Sequence, residues 1–169
     1  VKRDELPSTG DERTQLTGML DLQRAIVVSK ATGLTRAQLG HRHPPSTLTL
    51  AGLLKHLAMV EEWWFRVMFL GEEHQPRWQG IDWESDPDWE FRTAVDHEPA
   101  ELLAWYRSAC EDSNSVIAAA SSLDQLSVRD RKTGPVDLRW VILHLIEETA
   151  RHAGHADLLR EAVDGQTGY

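Results

Sequence analysis

The run LRWVILHLIEETARHAGHADLL, residues 138–159, carries the reading on which the fold depends. Within it Leu138, Val141, Leu145, Glu148, His152, His155 and Leu159 recur at steps of three and four, the spacing that lines side chains along one face of an α-helix. Both ends of that face are aliphatic, so the helix buries it. Its middle turns polar at three successive positions, Glu148, His152 and His155. A carboxylate on a buried face is costly unless it is paired, hydrogen-bonded or coordinated. Residues four apart on a helix share a side, so Glu148 and His152 can converge on one point. Asp137 supplies an N-cap, and the helix is expected to run to about Val163, before Asp164-Gly165.

Three further helical segments precede this one. Pro7-Ser8-Thr9-Gly10 is a turn-rich lead-in to a first helix over about 11–32, capped by Asp11, striped by Leu16, Met19, Leu20, Gln23, Ile26 and Val27, and stopped by Gly33. His41-Arg42-His43-Pro44-Pro45 marks a loop, in which Thr35-Arg36-Ala37-Gln38-Leu39 can form one short turn. Thr49 caps a second helix, with Leu50, Leu53, Leu57, Val60, Trp64 and Val67 on one stripe up to Leu70-Gly71. Glu98-Pro99 opens a third, striped by Leu103, Tyr106, Cys110, Ser113, Ile117 and Ala120. A connection over 123–136, turning at Lys132-Thr133-Gly134-Pro135, leads to the last. Four amphipathic helices without an alternating strand pattern predict an all-α, up-down four-helix bundle. Between the second and third helices, residues 71–98 lose periodicity around Trp78, Trp83 and Trp89. A segment this long is expected to be a functional loop or a cover over a site.

Composition narrows the class. At 169 residues, 41% apolar and 27% charged, the chain is expected to form one globular domain over 1–169. Its formal charge of −9 works against nucleic-acid binding, which needs a basic patch. A single cysteine, Cys110, excludes an internal disulfide framework and reads as a small buried residue rather than a reactive thiol. No apolar run reaches the roughly 20 residues of a membrane span, and Val1-Lys2-Arg3-Asp4-Glu5 is followed by no apolar signal region. A cytoplasmic location is the expectation.

The polar interruption of the last helix is the candidate site. His56 is the histidine of the second helical pattern, placed to reach inward beside its stripe. His56, Glu148 and His152 would form a three-ligand set that leaves a position open, as catalytic zinc sites do. Two imidazoles and a carboxylate suit Zn²⁺ and equally Fe²⁺, Mn²⁺ or Ni²⁺. A plainer reading stands beside this one, in which each histidine is a hydrogen-bonded core or rim residue and Glu148 pairs with Arg151 or Arg24. His155 is open between fourth ligand, partner of a ligand and pocket lining. His144 reads as an exposed helix position. Trp63, Trp64 and the loop tryptophans either fill core or, for Trp78, Trp83 and Trp89, wall an apolar pocket over the open end of the bundle. No Gly-rich phosphate loop, Gly-x-Ser-x-Gly elbow, Cys-x-x-Cys pair or His-Glu-x-x-His motif is present.

Three stretches resemble a known family: residues 47–58 with Glu61-Glu62-Trp63-Trp64, residues 138–157, and the closing Asp164-Gly165-Gln166-Thr167-Gly168. The chain resembles the DinB-like superfamily of metal-binding four-helix bundles, in the branch of mycothiol-dependent S-transferases and maleylpyruvate isomerase. The resemblance spans nearly the whole chain in helix order and length. It implies a divalent metal on the positions matching His56, Glu148 and His152. Many members have histidine where this chain has Glu148, which moves it toward the His-Glu-His subset that includes the isomerase. The implied activity is S-transfer from a low-molecular-weight thiol such as mycothiol to a small electrophile, in a protein that by family habit is a homodimer. The competing expectations are a non-catalytic metal- or ligand-binding bundle, a purely structural bundle, and metal-assisted hydrolysis with Glu61 or His155 as base.

Overall fold

The computed structural model describes residue 6 and residues 8–168; Val1–Glu5, Pro7 of the lead-in and Tyr169 lie outside the described residues. Six α-helices follow in order: α1 (Glu12–Ala31), α2 (Arg36–Leu39), α3 (Leu50–Glu62), α4 (Trp89–Thr93), α5 (Pro99–Ala119) and α6 (Leu138–Asp164). The four long ones form the expected bundle. α1 packs chiefly along α6 and α3 along α5, and α3 also meets α6. Among the described residues there is no strand, only isolated bridges Leu126–Asp137 and Arg131–Gly134. None of their helices is long and apolar enough to cross a membrane.

The helix ends form where local chemistry places them. Asp11 accepts from the Thr14 amide at 3.0 Å, Thr49 from Gly52 at 3.0 Å and Asp137 from Trp140 at 2.7 Å. Each side-chain oxygen satisfies an amide that the first turn leaves free. Pro99 opens α5, and Gly165, at φ 77°, closes α6 in the left-handed conformation.

Four expectations need correction. On α1 the stripe is rotated: Met19 is 43% exposed, while Arg24 and Lys30 are 3% and 2% exposed. Periodicity reads charge as solvent-facing, but these charges find partners on neighbouring helices, Arg24 a fully buried one and Lys30 one at the rim. Arg24 meets Glu61 through two hydrogen bonds of 2.7 and 2.6 Å, and Lys30 meets Asp157 at 2.7 Å. On α5 it is Leu102, 1% exposed, that turns inward, with Leu103 only half-buried. Cys110 on that helix is half-buried, and burial pushes its thiol pKa up.

The third correction concerns α3, whose pattern does not continue as an α-helix to Leu70. Trp63–Phe69 is wound as a π-helix, with the Leu70 amide donating to the Phe65 carbonyl at 3.2 Å. Each wider turn holds an extra residue, so Phe65 and Phe69 join Val67 in the core and Trp64 stays half-buried. The segment ends at Gly71, where φ is 76° and Val128 Cγ1 lies 2.6 Å from where a Cβ would sit. The fourth is residues 71–98, which contain 3₁₀ turns at Pro76–Trp78 and Ala94–Asp96 besides α4. Elements of three to five residues are too short for periodicity to reveal.

Candidate metal centre

α3 and α6 meet at the polar interruption. His56 Nε2 lies 3.2 Å from Glu148 Oε1, and His152 Nε2 lies 3.2 Å from the same oxygen. One ligand atom from each of His56, Glu148 and His152 falls within 4.8 Å of the other two. The imidazoles stand edge to face, with centroids 5.0 Å apart at 74°. Their side chains are 15% and 11% exposed and that of Glu148 is 17%, so solvent reaches the cluster.

Each imidazole is held from behind. Nδ1 of His56 faces Glu90 Oε1 at 3.1 Å, and its ring is stacked by Phe91 at 4.7 Å and 25°. Nδ1 of His152 faces Nδ1 of His155 at 3.3 Å. His155 therefore stands behind a member of the triangle and not in it. Arg151 Nη1 is 3.6 Å from Glu148 Oε2, and Arg24 is engaged with Glu61 instead.

The electrostatics follow from that geometry. Hydrogen bonds from His152 and His56 hold the Glu148 carboxyl well below the usual carboxylate range. Burial works against a charge on His56, but the bonds to Glu148 and Glu90 outweigh it and raise its pKa. For His155, burial and then the positive charges of His152 and Arg151 lower it.

Without a cation, the triangle is satisfied only if both imidazoles donate Nε2–H to one carboxylate. The same three atoms can instead ligate. Tetrahedral ligands at about 2.0–2.1 Å from zinc stand about 3.4 Å from one another, close to the 3.2 Å contacts found here. The donor set fits a divalent ion, and Glu90 can still accept from His56 Nδ1.

Of the two readings of the tryptophans, Trp78 follows core filling and loop anchoring rather than the wall of an apolar pocket. Trp78 is 2% exposed and donates from Nε1 to Glu62 Oε2 at 2.7 Å. It anchors the 71–98 segment in the core; the recess it borders is about 10 Å³, room for about one water. Trp83 is half-buried, edge-on to Trp89 at 6.0 Å, and Trp63 stacks on His74 at 5.3 Å. The larger recess beside the site, about 280 Å³, is bordered by Phe91, Leu48, Arg42 and Arg92, without a tryptophan. His144 is half-buried, stacked on Trp140 at 5.0 Å and edge-on to Trp64 at 4.7 Å, correcting its reading as exposed. Glu61 is fully buried in its pair with Arg24 and unavailable as a base. The residues that sequence reasoning missed are Glu90 and Phe91. Glu90 closes an acidic stretch, 82–90, in which nothing distinguishes it from its solvated neighbours, and Phe91 follows directly.

A bundle whose facing helices present two imidazoles and a carboxylate to one point is a DinB-like helical protein with a candidate metal centre. The profile of the mycothiol-S-transferase family matches residues 15–165, and the chain belongs to that family. Its fold is similar to the crystal structure of a conserved protein from Enterococcus faecalis, with a TM-score of 0.72 and 17% identity over 94% of this chain and 100% of that one. No curated protein matches the chain significantly in sequence.

Proposed function

We propose that the protein is a divalent-metal-dependent thiol S-transferase that joins a low-molecular-weight thiol, mycothiol by family, to a small electrophile. The observation that carries this reading is the convergence of His56 Nε2, Glu148 Oε1 and His152 Nε2 in a chain of the mycothiol-S-transferase family. These three residues would hold the ion. A divalent cation there, which we take as zinc among the ions this donor set suits, would supply the Lewis acidity that draws a coordinated thiol's pKa below its free value of about 8.5.

The chain's own residues do the rest. His56 and His152 offer neutral Nε2 donors, and Glu148 brings the single negative charge. With three protein ligands, the site would leave the ion a position for the thiol. With the proton of His152 on Nδ1, His155 Nδ1 at 3.3 Å would accept it and keep Nε2 of that ring free to ligate. The thiol sulfur gives an electron pair to the electrophilic carbon, the leaving group departs with its bonding pair, and the thiol proton passes to solvent.

The test pairs metal content with conjugation. Zinc-loaded protein supplied with mycothiol and a bimane or haloaromatic electrophile is expected to form the thioether. His152→Ala is expected to lose both bound zinc and conjugation. A metal-free His152→Ala protein with full activity would overturn the reading. Zinc-retaining wild type that conjugates no electrophile would identify a non-catalytic metal-binding bundle.

A further inference from the structure

We infer that Glu90 is a positioning residue of the metal centre, fixing His56 with Nε2 toward the ion and thereby tying the Trp-rich segment to metal binding. The inference rests on the metal reading above.

Glu90 is 3% exposed, and its Oε1 meets His56 Nδ1 at 3.1 Å. Its other oxygen is buried without a hydrogen-bond partner. Among the described residues, the bond to His56 is therefore the sole hydrogen bond of a buried carboxyl group. A half-satisfied buried carboxyl group costs free energy, and a residue of a short surface helix with that chemistry has no reason to point inward for its own sake. The ligand's needs supply the reason. A histidine that ligates through Nε2 must carry its proton on Nδ1, and an acceptor there fixes both tautomer and ring orientation. Phe91, the next residue, stacks on the same ring and limits its rotation.

α4 is also fastened to α3 at a second point beside this one. Lys55 Nζ lies 2.7 Å from Thr93 Oγ1 and 4.0 Å above the Trp89 ring. Consecutive residues of α3, Lys55 and His56, thus hold Trp89, Glu90, Phe91 and Thr93, four of the five residues of α4. Lys55 seats the element whether or not an ion is bound. His56 seats it best in the state that ligates. A ligand preference of this kind is reciprocal: if seated α4 favours the metal, bound metal favours seated α4.

The experiment titrates metal-free wild type, Glu90→Gln and Glu90→Ala with zinc against a chromophoric chelator. Glu90→Ala is expected to bind zinc about 10–100-fold more weakly. Glu90→Gln, whose amide oxygen still accepts from Nδ1–H, is expected to recover most of that loss. In zinc-loaded wild type, the ¹⁵N spectrum of the His56 ring should place the proton on Nδ1, and zinc should slow amide exchange across 89–96. A folded Glu90→Ala protein with wild-type zinc affinity overturns the inference and leaves the metal reading standing. Wild type that takes up no zinc overturns both. Should Glu90→Ala fail to fold, the wild-type spectra decide: a proton on Nε2 of His56, or exchange indifferent to zinc, overturns it.

Discussion

Two polar clusters interrupt the apolar interior five residues apart on α3, and they differ in kind. Around Glu61 the account is closed: Arg24 spans both carboxylate oxygens at 2.7 and 2.6 Å and also meets Asp21 and Asn114 at 2.8 and 2.7 Å. Around His56 it is open. Three groups with lone pairs face one another, and only protons or a foreign cation can satisfy them. Burial of charge does not by itself mark a functional site, since a matched pair inside a core is architecture. A buried cluster short of positive charge is the one that points to a ligand.

Crossed substitutions would break this contrast if it is mistaken. His56→Ala should lose stoichiometric zinc, measured by elemental analysis, while its metal-free form keeps a helical circular-dichroism spectrum. Arg24→Leu should do the reverse, retaining zinc where folded but losing about 3–5 kcal/mol in denaturant titration, because Glu61 is left buried and unpaired. A folded Arg24→Leu protein that sheds zinc would show the clusters to be one unit. The double substitution Arg24→Leu/Glu61→Leu sharpens the point, since replacing a whole buried pair with apolar volume is expected to restore most of that loss. No pair of apolar residues should restore zinc binding at 56 and 148.

The pH dependence separates the clusters further. In the metal-free protein the Glu148 pKa is lowered, so its contribution to stability is complete above its unfolded value near 4.5 and is lost as pH falls through the folded value. The His56 pKa is raised, so its contribution is complete below about 6.5 and is lost as pH rises through the folded value. These groups therefore favour the metal-free fold most between about 4.5 and 6.5. Zinc competes with the His56 proton, so the stabilisation that zinc adds should grow as pH climbs above that window. Denaturation with and without zinc, followed from about pH 6 to pH 8, measures it; an increment that shrinks would contradict the ligand set. The smallest effect belongs to Trp83→Ala, which removes an edge contact with Trp89 and should cost about 0.5–1.5 kcal/mol in denaturant titration.

The bundle and the triangle were legible for one reason. A regular helix converts spacing into direction, so the steps of α6 placed Glu148 and His152 together, and His56 followed as the inward-reaching histidine of a facing helix. What escaped does not obey a fixed period. Arg24 and Lys30 turn inward because their partners, Glu61 and Asp157, arrive from other helices. The π winding after Glu62 moves Phe65 and Phe69 into the core, where a 3.6-residue period puts other residues. Glu90 reaches His56 from 34 residues away through a five-residue helix. Trp78 was read for its apolar ring, yet its indole N–H bond to Glu62 settles its place.

One consequence lies in the α5 seam. The chain has a single sulfhydryl, and burial, followed by the negative charge of Glu61, keeps Cys110 protonated. A catalyst that brings soft nucleophiles and alkylating compounds together would be exposed to inactivation by its own reagents. In a thiol S-transferase of the kind proposed, this one sulfur, held in the sluggish, uncharged form, would be spared labelling by the enzyme's own electrophile.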